Sequence, residues 1–133
     1  MKRLIQLIKE ARFVWVCGNG GSAATAEHFT NDLFSKGITA ICLNSNTSIM
    51  TMIANDFGYE HIFSKQLECY ATLDDLLITI SCSGTSPNIL RALVLAEVIG
   101  METYSFEKFK KNRDYGKLEN KHLELVHKIK EAL

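Results

Sequence analysis

The chain lacks a charge of either sign to spare: 15 Lys and Arg offset 15 Asp and Glu in 133 residues, a formal net charge of zero. Nucleic acid and anionic membranes are bound through a basic excess on one face, so neither is an expected partner. The densest basic run, Lys108, Lys110, Lys111 and Arg113, is interrupted by Phe109 and Asn112 and reads as a solvated loop. Proline is nearly absent, with one residue, and no linker, internal repeat or low-complexity segment divides the chain. Paired cysteines are absent too. Cys17, Cys42, Cys69 and Cys82 form no Cys-x-x-Cys motif, which excludes a disulfide framework and a cysteine zinc site. Cys82 lies in a polar loop, but no base stands beside it, so it is not read as a nucleophile. Long apolar runs are also missing. Met1 to Glu10, with Leu4, Ile5, Leu7 and Ile8, is too short and too charged for a signal peptide or a membrane span, so a cytoplasmic location is expected.

What is present is a 47% hydrophobic composition, enough for a single domain over residues 1–133. A chain of this size buries roughly two-thirds of its unfolded surface. Any closed site is therefore small, or shared between subunits. After a first amphipathic helix, Phe13 to Cys17 reads as a strand ending at Gly18, followed by a helix from Ser22 to about Ser35. Ile38 to Leu43 repeats the strand signal, and Thr47 to Asn55 and Glu60 to Tyr70 are helical in period. Leu76 to Ile80 is an uninterrupted apolar strand, Pro87 opens a helix that Gly100 stops, Met101 to Phe106 is a fourth strand, and Leu118 to Leu133 a closing helix. This alternation predicts an α/β three-layer sandwich: a parallel sheet of four to five strands in flavodoxin-like order, flanked by helices.

Ligands of such sheets bind beyond the carboxyl ends of the strands. Gly18 to Ser22, Asn44 to Ser48 and Ser81 to Ser86 would line that rim. Gly18-Asn19-Gly20-Gly21-Ser22 follows a strand and opens a helix, a composition that can aim amide N–H groups at an anion. Gly18, Gly20 and Ala23 also fit a dinucleotide fingerprint, but the next strand ends in Asn44, Ser45 and Asn46 rather than an acid. No Lys follows the glycines, so no nucleotide cofactor is expected. Ser81-Cys82-Ser83-Gly84-Thr85-Ser86 supplies four hydroxyls before a helix N-terminus, a neutral cradle for a phosphoryl group. His28 and Asp32, four residues apart, share a helix face, a spacing that suits metal chelation or an acid–base pair.

Gly-Asn-Gly-Gly-Ser-Ala-Ala with His28-Phe29 beyond it, Ile53-Ala-Asn-Asp-Phe-Gly-Tyr59, and Ile80-Ser-Cys-Ser-Gly-Thr-Ser-Pro-Asn88 occur in this order. Together they resemble the sugar isomerase (SIS) domain, specifically its phosphoheptose isomerase branch, from about Val14 to Ser105. The resemblance implies a homo-oligomer, tetramer or dimer, with sites at subunit interfaces. It implies an aldose–ketose isomerase acting on a small phosphosugar, converting sedoheptulose 7-phosphate to D-glycero-D-manno-heptose 7-phosphate or a related pair. Asn19, Gly20, Gly21, Ser22, Ser81, Ser83 and Ser86 would hold the phosphosugar, and Asp56 would touch sugar hydroxyls or organise a neighbouring subunit. Lys36 stands where the family tends to have Arg.

The family carries a His and a catalytic Glu at His28 and Asp32, and a Gln and a His at positions matching Glu119 and His127. Asp32 is then the base and His127 the acid. His28, Asp32, Glu119 and His127 are the implied ligands of zinc, which some members bind there. Asp32 retracts the carboxylate by one methylene, and a displacement of roughly 1 Å can cost about 10²-fold in rate. Three segments depart from the pattern: a first helix cut to about ten residues, a shortened stretch between Ser35 and Ile38, and the charged Glu107 to Gly116 in place of a fifth strand. These departures favour an alternative, a non-catalytic phosphosugar sensor or an interaction scaffold like the replication-initiation regulator DiaA. His61 and His122 match no family catalytic group.

Overall fold

The computed structural model describes residues 1–106, 108 and 114–133; the expected loop through Lys110, Lys111 and Arg113 and most of the segment replacing a fifth strand lie outside them. Four strands, β1 (Val14–Gly18), β2 (Ala40–Cys42), β3 (Leu76–Ile80) and β4 (Glu102–Ser105), form one parallel sheet in the order β2-β1-β3-β4. Among the described residues six α-helices alternate with them: α1 (Lys2–Glu10), α2 (Gly21–Ser35), α3 (Thr47–Phe57), α4 (Ser64–Tyr70), α5 (Pro87–Ile99) and α6 (Tyr115–Ala132). The three-layer α/β sandwich is the one the sequence predicts, with four strands among the described residues.

The period of two along β1 and β3 builds both halves of the core. Val14, Val16, Leu76, Ile78 and Ile80 point to one face, where Leu4 and Ile8 of α1, Ala26, Phe29 and Leu33 of α2, and Val126 and Ile129 of α6 cover them. Trp15, Cys17 and Leu77 point to the other, onto Ile53, Phe63, Leu67, Ile89, Ala92 and Ala96. Both faces are covered, so the two central strands are buried along their length. The edge strand β2 is shorter than expected, three residues with Ile41 exposed. The helix expected from Glu60 to Tyr70 is broken instead into a 3₁₀ turn (Tyr59–His61) and α4, with Ile62 and Phe63 buried between them.

The strand order puts the crossovers from β1 and β3 on opposite sides of the sheet. The loops after these two adjacent strands therefore lie together at their carboxyl ends, the switch point where such sheets hold ligands.

Candidate active site

The first rim loop is shaped by backbone geometry. Gly20 sits at φ 56°, a conformation that side chains other than glycine adopt at a cost, and its carbonyl accepts from the amides of Ala23 and Ala24 to start α2. A Cβ at Gly21 would meet the Glu119 carboxylate, which lies over this position. The Asn19 side chain exchanges two hydrogen bonds with Asn88, at 2.9 and 2.8 Å, and accepts a third from the Tyr59 hydroxyl at 3.2 Å. Asn88 also caps α5 by accepting from the Ile89 amide. Asn19 is thus the tie between the two rim loops; Asn88 and Tyr59, which the sequence reading passed over, hold it. Asn44 closes the third side through its bonds with the Gly18 backbone at 3.2 and 2.8 Å.

In the second loop Ser81 Oγ accepts from the Gly84 amide at 3.0 Å and Ser83 Oγ from the Thr85 amide at 3.2 Å. Both keep a hydroxyl proton to donate. Ser86 stands at the N-cap of α5 without a side-chain capping bond. Ser22 is buried next to Cys82, to whose thiol it is hydrogen-bonded. Cys82 itself is buried, and burial pushes its thiol above the ordinary range, with the Glu119 charge adding to the rise and the Ser22 bond opposing it. The thiol is packing, in keeping with the sequence reading.

The acid–base groups lie away from this rim, in the groove between α2 and α6. The two helices run side by side in the same direction: Glu119 abuts Gly21, His127 meets His28, and Lys130 meets Asp32. On α2 the stripe Ala26, Phe29, Leu33 turns into the core, which leaves His28 facing α6 and Asp32 beneath it. His28 Nε2 and His127 Nε2 are 3.1 Å apart, so one ring donates and the other accepts. His28 Nε2 is 3.3 Å from Asp32 Oδ2. The Asp32 side chain is 1% exposed; Lys130 Nζ donates to Oδ1 at 2.5 Å, while Oδ2 is buried and accepts no hydrogen bond.

One donor atom each from His28, Asp32 and His127 lies within 4.8 Å of the other two, and these three can hold a metal ion. Two imidazoles and a carboxylate are a donor set that zinc takes. Asp32 Oδ2, buried without a hydrogen-bond donor and 3.3 Å from His28 Nε2, suits a cation. Glu119 does not join them. Eight residues of helix separate it from His127 by about 12 Å, and it stands at the rim instead. Of the four expected ligands, His28, Asp32 and His127 are the three that this chain brings together.

Lys36 also stands apart from the rim of its own chain. It is exposed just beyond the far end of α2, some 15 residues and about 22 Å from the glycine loop, so within one chain it does not reach the rim. Asp56 is exposed on α3 and accepts from Asn55 at 2.8 Å, directed at no other candidate group. His61 is half-exposed beside Glu60, and His122 is buried with its ring edge-on to Phe106 at 5.5 Å. Lys130, like Asn88 and Tyr59, is a residue at the site that sequence reasoning missed. Its signal was its position three residues after His127, on the same helix face. A cavity of about 740 Å³ between β2, α3 and α4, walled by Phe13, Trp15 and Tyr70, contains none of the acid–base groups.

A model of the SIS domain matches residues 2–107. The phosphoheptose isomerase of Helicobacter pylori (strain HPAG1) is 43% identical over 120 residues, 86% of this chain and 60% of that protein. The chain thus spans about three-fifths of the length of such curated relatives. Among solved structures, phosphoheptose isomerase GmhA from Neisseria gonorrhoeae superimposes with a TM-score of 0.89 at 28% identity, covering 98% of this chain and 80% of that one. The phosphoheptose isomerase from Francisella tularensis gives 0.88 at 26%, with the same coverage. Sequence, topology and the paired rim loops agree: this chain belongs to the SIS domain family, and its likeness within that family is to the phosphoheptose isomerases.

Proposed function

We propose that the chain is a phosphosugar isomerase that interconverts a ketose phosphate and an aldose phosphate, with sedoheptulose 7-phosphate and D-glycero-D-manno-heptose 7-phosphate as the pair its relatives point to. The observation that carries this reading is Asp32: a buried carboxylate with one oxygen left without a donor, beside His28, whose ring in turn meets His127. Isomerisation moves a proton between adjacent carbons. The free Oδ2 takes the proton from the hydroxyl-bearing carbon while the neighbouring carbonyl oxygen is protonated, giving an enediol; His127 is placed to supply that second proton. Delivering the first proton to the former carbonyl carbon, as the hydroxyl on the first carbon loses its proton to become the new carbonyl, completes the exchange with no net redox change.

The phosphate end belongs at the rim. Ser81 and Ser83 donate their hydroxyl protons, Ser86 has a free hydroxyl, and the α2 N-terminus at Gly20, Gly21 and Ser22 adds its dipole. His28 lies seven residues, about 10 Å, along α2 from Gly21, so an extended sugar phosphate can lie in the groove with its anion at the rim and its carbonyl end at the cluster. In a zinc-loaded chain His28, Asp32 and His127 would be ligands in place of base and acid, and the ion would supply a Lewis acid that polarises the sugar oxygens. A homo-oligomer in the cytoplasm completes the reading. Its support is the exposed apolar stripe Leu90, Val94 and Val98 on α5, and the position of Lys36, which would meet a phosphate only on a neighbouring subunit.

The test is turnover of five- to seven-carbon ketose phosphates by the purified chain, with zinc supplied and withheld. Conversion that Asp32→Asn abolishes supports the enzyme. Thermal stabilisation by a phosphosugar with no conversion would replace it with the sensor reading.

A further inference from the structure

The cluster contains its own cation. The Asp32 carboxylate is 1% exposed, and a buried charge requires a counter-charge. Lys130 supplies it at Oδ1, 2.5 Å away, although its own side chain is 40% exposed and reaches in from the open side of the groove. A metal ion held by His28, Asp32 and His127 would use the other oxygen of the same carboxylate, because Oδ1 is taken by Lys130 while Oδ2 has no donor and lies 3.3 Å from His28 Nε2. Ion and ammonium would then share one carboxyl group, separated by little more than its width. Charge counting gives the same conflict. Two neutral imidazoles and one carboxylate present a single negative charge, and Lys130 cancels it, whereas affinity for a divalent cation rises with ligand charge.

Resting on the three-residue ligand set of the preceding section, we propose that Lys130 is a resident cation that competes with a divalent metal ion for Asp32 and weakens metal binding at this site. Lys130 thereby sets how far the site depends on an added ion. It does so through Asp32 and is a positioning residue.

The experiment is a Co²⁺ titration of the full chain, stripped of metal and without sugar, followed by calorimetry and by the visible absorption of the bound ion. Lys130→Met removes the charge at similar length, Lys130→Gln keeps a hydrogen-bond donor to Oδ1 without the charge, and Lys130→Arg keeps the charge. The expected result is affinity raised about tenfold or more in the Met and Gln variants, the scale on which outer-shell groups act, with Arg within about threefold of the parent chain. Equal or weaker binding by the two uncharged variants, or no binding by any of the four proteins, overturns the proposal. Circular dichroism separates a folding failure in one uncharged variant from the result in the other. The readout is independent of catalysis: tightening in a chain that converts no sugar phosphate keeps this proposal and removes the isomerase, and turnover without tightening does the reverse.

Discussion

Asp32 and Asp75 are both buried carboxylates with one oxygen that accepts no hydrogen bond, yet their surroundings differ in kind. Asp75 precedes β3 at the amino end of the sheet, where its Oδ2 accepts from Arg12, from the Trp15 indole at 3.0 Å and from the Thr72 amide at 2.9 Å. Those three donors pin the start of β1 to the start of β3. Among the described residues Asp32 has one donor, Lys130, and its other oxygen, also buried, lies 3.3 Å from the His28 ring, which meets His127. An orphaned oxygen is therefore no signature of chemistry alone. What distinguishes Asp32 is the set of proton-carrying groups that face it, and what marks Asp75 as structural is convergence of fixed donors at the end of the sheet opposite the ligand rim.

The sharpest way to break this contrast is to remove each carboxylate. Asp32→Asn is expected to lower sugar-phosphate turnover by roughly 10³-fold, the scale of losing a general base, while the melting temperature moves by only a few degrees. Asp75→Ala should do the opposite. Stranding Arg12, the Trp15 indole and the Thr72 amide costs about 3 kcal/mol, a drop of about 10 °C in melting temperature by calorimetry, with turnover per folded molecule preserved. If both variants lose activity at unchanged stability, the division between the two regions is wrong.

Cys82 sharpens the comparison from inside the rim. Burial raises the thiols of Cys17, Cys42 and Cys82, so at pH 8 a thiol reagent should label only the exposed Cys69 in the folded chain, as read by mass spectrometry. Cys82→Ser should keep turnover within about threefold, since nothing at the site uses the thiolate. The smallest effect belongs to an aspartate on the surface. Asp114 caps α6, and the Lys117 amide and ammonium hold its carboxyl below the ordinary value of 3.8. Its contribution to stability is complete above that value and is lost as pH falls through the lowered one. Asp114→Asn should therefore remove only a slight acid-limb dependence of the melting temperature.

The strands were legible because β1 and β3 are uninterrupted apolar runs, and the rim loops because glycine and serine clusters follow strands directly. The break before α4 was not, since Ile62 and Phe63 continue the helical apolar period while the backbone leaves the helix to bury them. At the site, the pairing of His28 with Asp32 follows from helical spacing within one element. The alignment of α6 against α2 does not, because the register between two helices is set by Phe29, Leu33, Val126 and Ile129 packing on the same sheet face. That register brings Lys130 to Asp32 and leaves Glu119 at the rim. A rise of about 1.5 Å per residue along a helix already separates Glu119 from His127, and Lys36 from the glycine loop of its own chain.

The most direct test follows the proton itself. Sedoheptulose 7-phosphate incubated with the chain in D₂O, observed by proton NMR, should exchange a hydrogen on the carbon next to the carbonyl as the aldose phosphate forms, and Asp32→Asn should show no exchange above the enzyme-free rate. Exchange by Asp32→Asn at the rate of the parent chain would contradict Asp32 as the group that moves the proton.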